Sequence, residues 1–381
     1  MRSKAATPAA RPGWLTAALH QIRTEGTTPW RQALSVGLGL YIGASPFIGF
    51  HLALSIVLGR LFGLNRLLVY AAANISNPFV APVLYAAEIQ VGAWLRTGQI
   101  YSPSTIDDIR LGGLALDVLI GSVVIGTILA CLGVALTYAA VRARGVDPAV
   151  ARLVDAAAAR YLPFGIGPWE FARSKLKHDP MYLGVLEDGV LPARGRLVDL
   201  GCGPGLMLAL LASAKAQFRA GDWPAGWPDA PVDLELLGLE LRPDAARRAR
   251  EVLGTEATVE ERDLMQGDVP DGDAYLVFDV LHLMPCDAQD RLLEVVARSL
   301  PPGGVLVLRE ADAAGGWRFQ LIRLGNRIVA ILHGRRRRGF HFRTAQAWRD
   351  RLESLGFAVD EARTPNRTPF ANVTFYARRA G

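Results

Sequence analysis

Three stretches of the chain carry no charge: Ala33–Gly59, Leu67–Ala87 and Val118–Val141. A helix crossing the hydrocarbon core of a bilayer needs about 20 apolar residues. Val118–Val141 meets that need without interruption, with Asp117 before it and Arg142 and Arg144 after it. The other two are broken. Gly43–Gly49 interrupts the first, and Asn74, Asn77, Pro78 and Pro82 interrupt the second. Proline removes a backbone donor and breaks the helical ladder, and broken backbone within lipid must be satisfied by neighbouring protein. The pattern predicts a re-entrant helical hairpin at 33–60, a span at about 67–97 and a return span at 118–141.

After residue 142 the pattern changes. Val150, Leu153, Val154 and Ala157 share one helical face. Pro163, Gly165, Gly167 and Pro168 break it, and helical stretches follow at Trp169–Lys177 and Met181–Asp188. Beyond these, apolar strand-like runs alternate with helical ones. The runs are Arg196–Leu200, Glu235–Glu240, Ala257–Leu264, Asp273–Asp279, Val305–Glu310, Gly356–Asp360 and Asn372–Arg378, with an amphipathic helix at Ala288–Leu300. That alternation predicts a doubly wound α/β domain. The expected organisation is a basic arm over residues 1–30, an all-α membrane domain over 31–145, a linker with docking helices over 146–190, and the α/β domain over 191–381.

The chain's 381 residues suffice for two or three domains. Its net charge of +6 suits nucleic acid or an anionic lipid surface. Charge also sets topology. Arg2, Lys4, Arg11, Arg23 and Arg31 precede the first apolar stretch, Arg60 and Arg66 follow it, and Arg142 and Arg144 follow the third. The positive-inside rule places these regions in the cytoplasm. The loop Gln99–Asp117, with Asp107, Asp108 and Asp117 against Arg110, can face outward. A model with three full spans would put the N-terminal arm outside, against the rule. The first residues lack the apolar core of a secretory signal. The expected location is the bacterial cytoplasmic membrane, multi-pass, with the α/β domain inside. Three scattered cysteines (Cys131, Cys202 and Cys286) and six scattered histidines give no metal-ligand spacing, so no metal is expected.

The chemistry concentrates at Val198-Asp199-Leu200-Gly201-Cys202-Gly203-Pro204-Gly205, a strand, a glycine turn and a helix start. Glycine admits backbone conformations closed to other residues and lets a ligand approach closely. The spacing is not the Gly-x-Gly-x-x-Gly of dinucleotide folds, and Asp199 lies inside the strand. The segment resembles the first motif of class I S-adenosylmethionine-dependent methyltransferases. The resemblance runs in order over about residues 190–381 and implies a seven-stranded Rossmann-like sheet whose last strand is antiparallel. It implies S-adenosylmethionine as cofactor, held by Asp199, Gly201, Gly203, Gly205, Glu240, Asp263, Leu264 and Asp279. Glu240 would take the ribose hydroxyls and Asp263 the adenine amino group. Glu240 follows Gly205 at a longer interval than usual, and Gln217–Asp233, with Trp223 and Trp227, reads as an insertion.

Ligands bind at the carboxyl ends of such sheets. His282, just past the fourth strand, is the candidate base, with Glu310 as helper or acceptor contact and Asp312 on the same rim. A structural, hydrogen-bonded His282 weighs equally. Arg173, Lys175 and Lys177 can hold an acidic group or form a solvated face. The Asn-Pro-Pro-Tyr of amine-methylating relatives is replaced by Asp279-Val-Leu-His282, which argues against nucleic-acid bases as acceptors. Arg335–Arg338, with His341 and Arg343, suits phosphate or anionic lipid. Residues 30–145 resemble a bacterial membrane domain of unknown function that also occurs fused to glycosyltransferases. The resemblance rests on Gly39–His51, Leu64-Asn65-Arg66 and Ser76-Asn77-Pro78. His51 and Asn77 there suit a polar site between helices or, more simply, interhelical hydrogen bonds. Three readings stay open: a membrane-anchored methyltransferase acting at oxygen on a lipid, lipid-linked or small hydrophobic acceptor; a small-molecule methyltransferase with a mere anchor; and a membrane scaffold or transporter that senses S-adenosylmethionine.

Overall fold

Proline at the first position and Thr28 before it open helix α1 (Pro29–Gly43), where the Thr28 side chain accepts the Arg31 N–H. In the computed structural model, residues 13, 16–17, 20, 28–47, 49–101, 111–143, 145, 147–266, 268–332, 339–362 and 368–380 are described. The chain divides into two units, Trp14–Val146 and Asp147–Gly381 with Met1–Gly13.

The first unit is helical. After α1 come α2 (His51–Leu61), α3 (Arg66–Ala73), α4 (Ala81–Thr97) and α5 (Leu111–Ala143). Within α5, Gly112–Ala143 is long and apolar enough to cross a bilayer. The expected span at 67–97 is not straight: Arg66–Ser76 and Ala81–Thr97 meet at 78°. The cause is local. Asn77 Oδ1 accepts the N–H groups of Phe79 and Val80 at 3.0 and 3.2 Å, which turns the chain between the two helices. His51 Nε2 likewise meets the Ser45 carbonyl oxygen at 3.3 Å. Both side chains therefore close turns in their own segments. Asp117 departs from expectation too. The sequence suggests a loop charge, but α5 begins at Leu111 and buries Asp117 completely. Arg96 Nε and Nη2 reach its carboxylate at 2.6 and 2.9 Å, and the Tyr101 hydroxyl donates at 2.6 Å. Paired in this way, a carboxylate is tolerated inside a helix bundle. The backbones of α4 and α5 cross so closely that a Cβ at Gly92 would overlap the Asp117 carbonyl. One at Gly121 would overlap the Glu88 carbonyl. Of the loop charges named above, Asp107, Asp108 and Arg110 lie outside the described residues, as do Arg2, Lys4, Arg11, Arg23 and Arg144.

The second unit begins with α6 (Pro148–Ala159), capped by Asp147, and continues with α7 (Ile166–His178) and α8 (Pro180–Glu187). A seven-stranded sheet follows, in the order β3-β2-β1-β4-β5-β7-β6. Its strands are β1 (Arg194–Leu200), β2 (Asp233–Glu240), β3 (Thr258–Glu261), β4 (Ala274–Phe278), β5 (Val305–Ala311), β6 (Phe357–Glu361) and β7 (Asn372–Arg379). The first five run parallel, and β7 enters antiparallel between β5 and β6. The intervening helices are α9 (Leu206–Arg219), α10 (Pro243–Leu253), α11 (Cys286–Ser299), α12 (Gly316–Leu332) and α13 (Ala345–Ser354).

Alternation along each strand builds two cores. Leu197, Ala274, Leu276, Val305 and Val307 face one core, with α6–α10. Val198, Leu200, Tyr275, Val277, Leu306 and Leu308 face the other, with α11 and α13. The insertion Gln217–Asp233 folds on itself: Trp223 meets Phe218 and Trp227 edge-on at 5.7 Å and donates to the Pro228 carbonyl at 2.8 Å.

Candidate functional site

Strand order reverses between β1 and β4, so a crevice opens at their carboxyl ends. The glycine loop sits there. Gly201, Gly203 and Gly205 all have positive φ, at 82°, 57° and 82°. A Cβ on Gly201 would meet Val280 Cγ2 at 2.5 Å, and one on Gly205 would press on Leu253 and Ala249 at 3.1 and 3.3 Å. At Gly203 the space is open, with Arg242 Nη2 at 4.0 Å as the nearest atom. Gly201 and Gly205 are thus fixed by packing, whereas Gly203 faces open space.

Two acids lie at the strand ends beside this loop. Glu240, at the end of β2, accepts the Gly203 N–H at 2.9 Å through Oε2, and the Arg242 N–H and Nε at 2.9 and 3.0 Å through Oε1. Asp199 is buried inside β1. Burial, and then the Glu240 charge, push its carboxyl up to about 7. The Tyr161 hydroxyl donates to the Pro204 carbonyl at 2.9 Å, tying the segment before α7 to the glycine loop. Asp263 follows Arg262, whose N–H donates to the Glu240 carbonyl at 3.1 Å, and its Oδ1 accepts the Met265 N–H at 2.9 Å in a turn that buries Leu264.

Across the crevice, His282 Nδ1 lies 2.8 Å from Glu310 Oε2, and both side chains are buried. Glu310 Oε1 also accepts the Leu281 N–H at 2.6 Å. The His282 ring stacks on Phe342, with centroids 5.1 Å apart and planes 10° apart. Glu310 is therefore committed to holding His282 and the turn after β4. Asp312 is structural as well, since its Oδ1 accepts the N–H groups of Ala314 and Ala345.

Because strand residues alternate, Arg309 points to the opposite face of β5 from Glu310. It is almost wholly buried and pairs with Asp279 at 2.6 Å and Asp179 at 3.0 Å. Burial opposes its charge, but the two carboxylates outweigh that and hold the guanidinium above its usual range. Asp279, which has a positive φ of 57°, thus faces Arg309. Arg309 and Asp179 line a cavity of about 190 Å³ between α8 and β7, together with Asn372, Thr374 and Tyr376. Sequence reasoning missed Arg309 and Asp179. The available signal was an arginine in an otherwise apolar strand. Arg173 and Lys175 are also engaged, with Asp155 and Asp179, at 2.7 Å each. Arg343 is held by Asp290. Arg335–Arg338 lies outside the described residues.

Residues 169–362 match the family model described as "Methyltransferase domain". The chain belongs to this methyltransferase family. Residues 13–146 match a second model, described as "Uncharacterized protein conserved in bacteria (DUF2062)". Carboxy-S-adenosyl-L-methionine synthase of Chromohalobacter salexigens is 34% identical over 134 residues, 34% of this chain and 44% of that protein. Trans-aconitate 2-methyltransferase of Methylobacterium nodulans is 34% identical over 122 residues, 32% of this chain and 40% of that protein. The chain therefore spans less than half the length of these curated relatives. Among solved structures, human N-acetylserotonin methyltransferase in complex with SAM is 18% identical with a TM-score of 0.41, covering 55% of this chain and 54% of that one.

Proposed function

We propose that the chain is a membrane-anchored methyltransferase that moves a methyl group from S-adenosylmethionine to an oxygen of a lipid, lipid-linked or small hydrophobic acceptor. The observation that carries this reading is the pairing of two constellations on one sheet edge: the open glycine cleft with Asp199 and Glu240, and the buried His282–Glu310 dyad. The cleft suits the cofactor. Gly203 leaves room where a Cβ would intrude, and Asp199 and Glu240 supply carboxylates for a ligand with cationic and hydroxyl groups. Glu240 would take the ribose hydroxyls in place of Arg242, Asp263 and Leu264 would border the adenine, and Asp279 would lie beside the methionine end.

S-adenosylmethionine, when bound, supplies an electrophilic methyl group on a sulfonium. The protein's part is alignment and proton removal. Glu310 holds Nδ1–H of His282, which leaves Nε2 as the proton acceptor. An acceptor hydroxyl beside Nε2 would lose its proton to it as the new oxygen–carbon bond forms and the sulfur–methyl bond breaks, its electron pair staying on sulfur in a neutral thioether. The bilayer enters through the apolar α5 and the bent α3–α4 pair, with both termini in the cytoplasm, where the cofactor is made.

A second reading, a small-molecule methyltransferase whose membrane part is only an anchor, has its own support in the polar cavity lined by Asp179, Arg309, Asn372 and Thr374. Membranes from cells making the chain, supplied with methyl-labelled cofactor, are expected to carry label into the organic phase. Label in water-soluble small molecules would select the second reading. Cofactor binding without any labelled product would select a sensing scaffold. Cysteine labelling at residue 10 from each side of the membrane tests the topology; labelling from the outside would overturn it.

A further inference from the structure

Helix α12 carries two apolar faces. The inner one holds it to the domain: Phe319 and Ile322 pack with Ala311, Ala371 and Phe342. The outer one is a stripe of Trp317, Leu321, Leu324, Ile328 and Ile331, at i, i+4, i+7, i+11 and i+14. All five are exposed, Trp317 by 69% and Leu324 by 58%. A soluble protein seldom leaves so long an apolar row in water without a partner. The helix also contains Arg318, Arg323 and Arg327 and no acid. By helical spacing, Arg323 and Arg327 run along one border of the stripe; Arg318, on the other, is turned to the protein and donates to the Thr368 and Phe370 carbonyls at 2.6 and 3.0 Å.

We propose that α12 is a bilayer-docking helix, lying in the interface of an anionic leaflet with the stripe among the acyl chains and Arg323 and Arg327 among the headgroups. Charge decides the occupant. A second copy on the same face would bring two sets of arginines together with no acid on the helix to answer them. An anionic leaflet answers them, and an apolar face bordered by arginine, with tryptophan at one end, is the composition that settles in such an interface.

The placement links the surface to the chemistry. Phe319 meets Phe342 edge-on at 5.1 Å, and Phe342 stacks on His282. A docked α12 would set the dyad two ring contacts from the leaflet. In this respect the inference deepens the proposed function and rests on it, since it names the leaflet as the source of the acceptor.

The test uses the full chain reconstituted in vesicles of phosphatidylcholine with or without phosphatidylglycerol, with bromine-labelled acyl chains. Subtracting the emission of the Trp317→Phe variant isolates Trp317. Its emission is expected to be quenched when phosphatidylglycerol is present, and less in phosphatidylcholine alone. Quenching should fall several-fold in a Leu324→Glu, Ile328→Glu double variant, whose substitutions lie at exposed positions. Emission that responds to aqueous iodide and not to bromolipid would overturn the proposal, as would equal quenching in the double variant. Protection from both quenchers in a dimeric species would place a second copy on the stripe and overturn it too. Calorimetry of cofactor binding on the same samples separates the two claims: docking fails if Trp317 stays in water while binding persists, and the proposed function fails if binding is absent while docking persists.

Discussion

Glu310 Oε2 lies 2.8 Å from His282 Nδ1, while Oε1 of the same carboxylate accepts the Leu281 N–H. One side chain therefore sets both the ring's tautomer and the turn that carries it. If His282 is the base, His282→Ala should lower turnover by about 10²–10⁴-fold and leave cofactor binding near its original level. Glu310→Gln keeps the shape but loses the charge that supports a protonated ring. It should lower turnover by a smaller factor with little change in cofactor affinity. Steady-state kinetics beside binding calorimetry check both, and unchanged turnover in His282→Ala would remove the base assignment.

Asp199 gives a pH signature. Burial first, and then Glu240, raise its carboxyl to about 7 from an ordinary 3.8. The folded protein therefore holds a proton that the unfolded chain has released between these values. This contribution to stability is fully present below the unfolded value and is lost as pH rises through about 7. Asp199→Asn should remove that slope and stabilise the cofactor-free protein at pH 8 by on the order of 1–3 kcal/mol. A cationic ligand favours the ionised carboxylate, so binding should release a proton below pH 7 and tighten from about pH 6 to 8. Calorimetry in buffers of different ionisation enthalpy reads the proton directly. The same proton count in Asp199→Asn would assign the signature elsewhere.

Much of this site was legible in the sequence, for identifiable reasons. A glycine run between an apolar strand and a helix has few other uses, and Glu240 closes the next strand in phase with it. Leu306 and Leu308 on one face and Val305 and Val307 on the other are equally apolar. The string therefore does not say which face receives Arg309 until the neighbouring strands fix the register. Asp117 was misread for a related reason. A charge at the edge of an apolar run looks like its boundary, and the partner that allows it inside, Arg96, lies on another helix. At Asn77 the prolines announced a break, but the 78° bend comes from a side chain accepting two backbone N–H groups.

Arg309 joins the turn after β4 to the start of α8 through Asp279 and Asp179. Removing one partner of a buried ion pair strands the other charges and costs about 3–5 kcal/mol. Arg309→Met should destabilise the α/β unit by about that much, seen as a lower denaturant midpoint for the full chain in detergent. Adding Asp179→Asn and Asp279→Asn should recover part of the loss, because no charge is then left unpaired. Absence of any recovery would mean that the arginine acts through packing instead.

The glycine loop separates folding from binding at neighbouring positions. Gly201 has φ 82°, and an added Cβ would meet Val280 Cγ2 at 2.5 Å. Gly201→Ala combines left-handed strain with a core clash, and each typically costs about 1–3 kcal/mol. It should lower stability and binding together. Gly203 has φ 57°, and an added Cβ would meet nothing closer than Arg242 Nη2 at 4.0 Å. Gly203→Ala should therefore cost only the strain, roughly 1–2 kcal/mol, and leave the fold intact. The same methyl would stand in the cleft where the cofactor is expected, so affinity should fall by more than the stability change accounts for. Thermal melts with and without S-adenosylmethionine measure both effects: Gly203→Ala is expected to lose most of the ligand-induced rise in Tm. A Gly203→Ala protein that kept the full rise would place the cofactor away from this loop, even with the fold and the family unchanged.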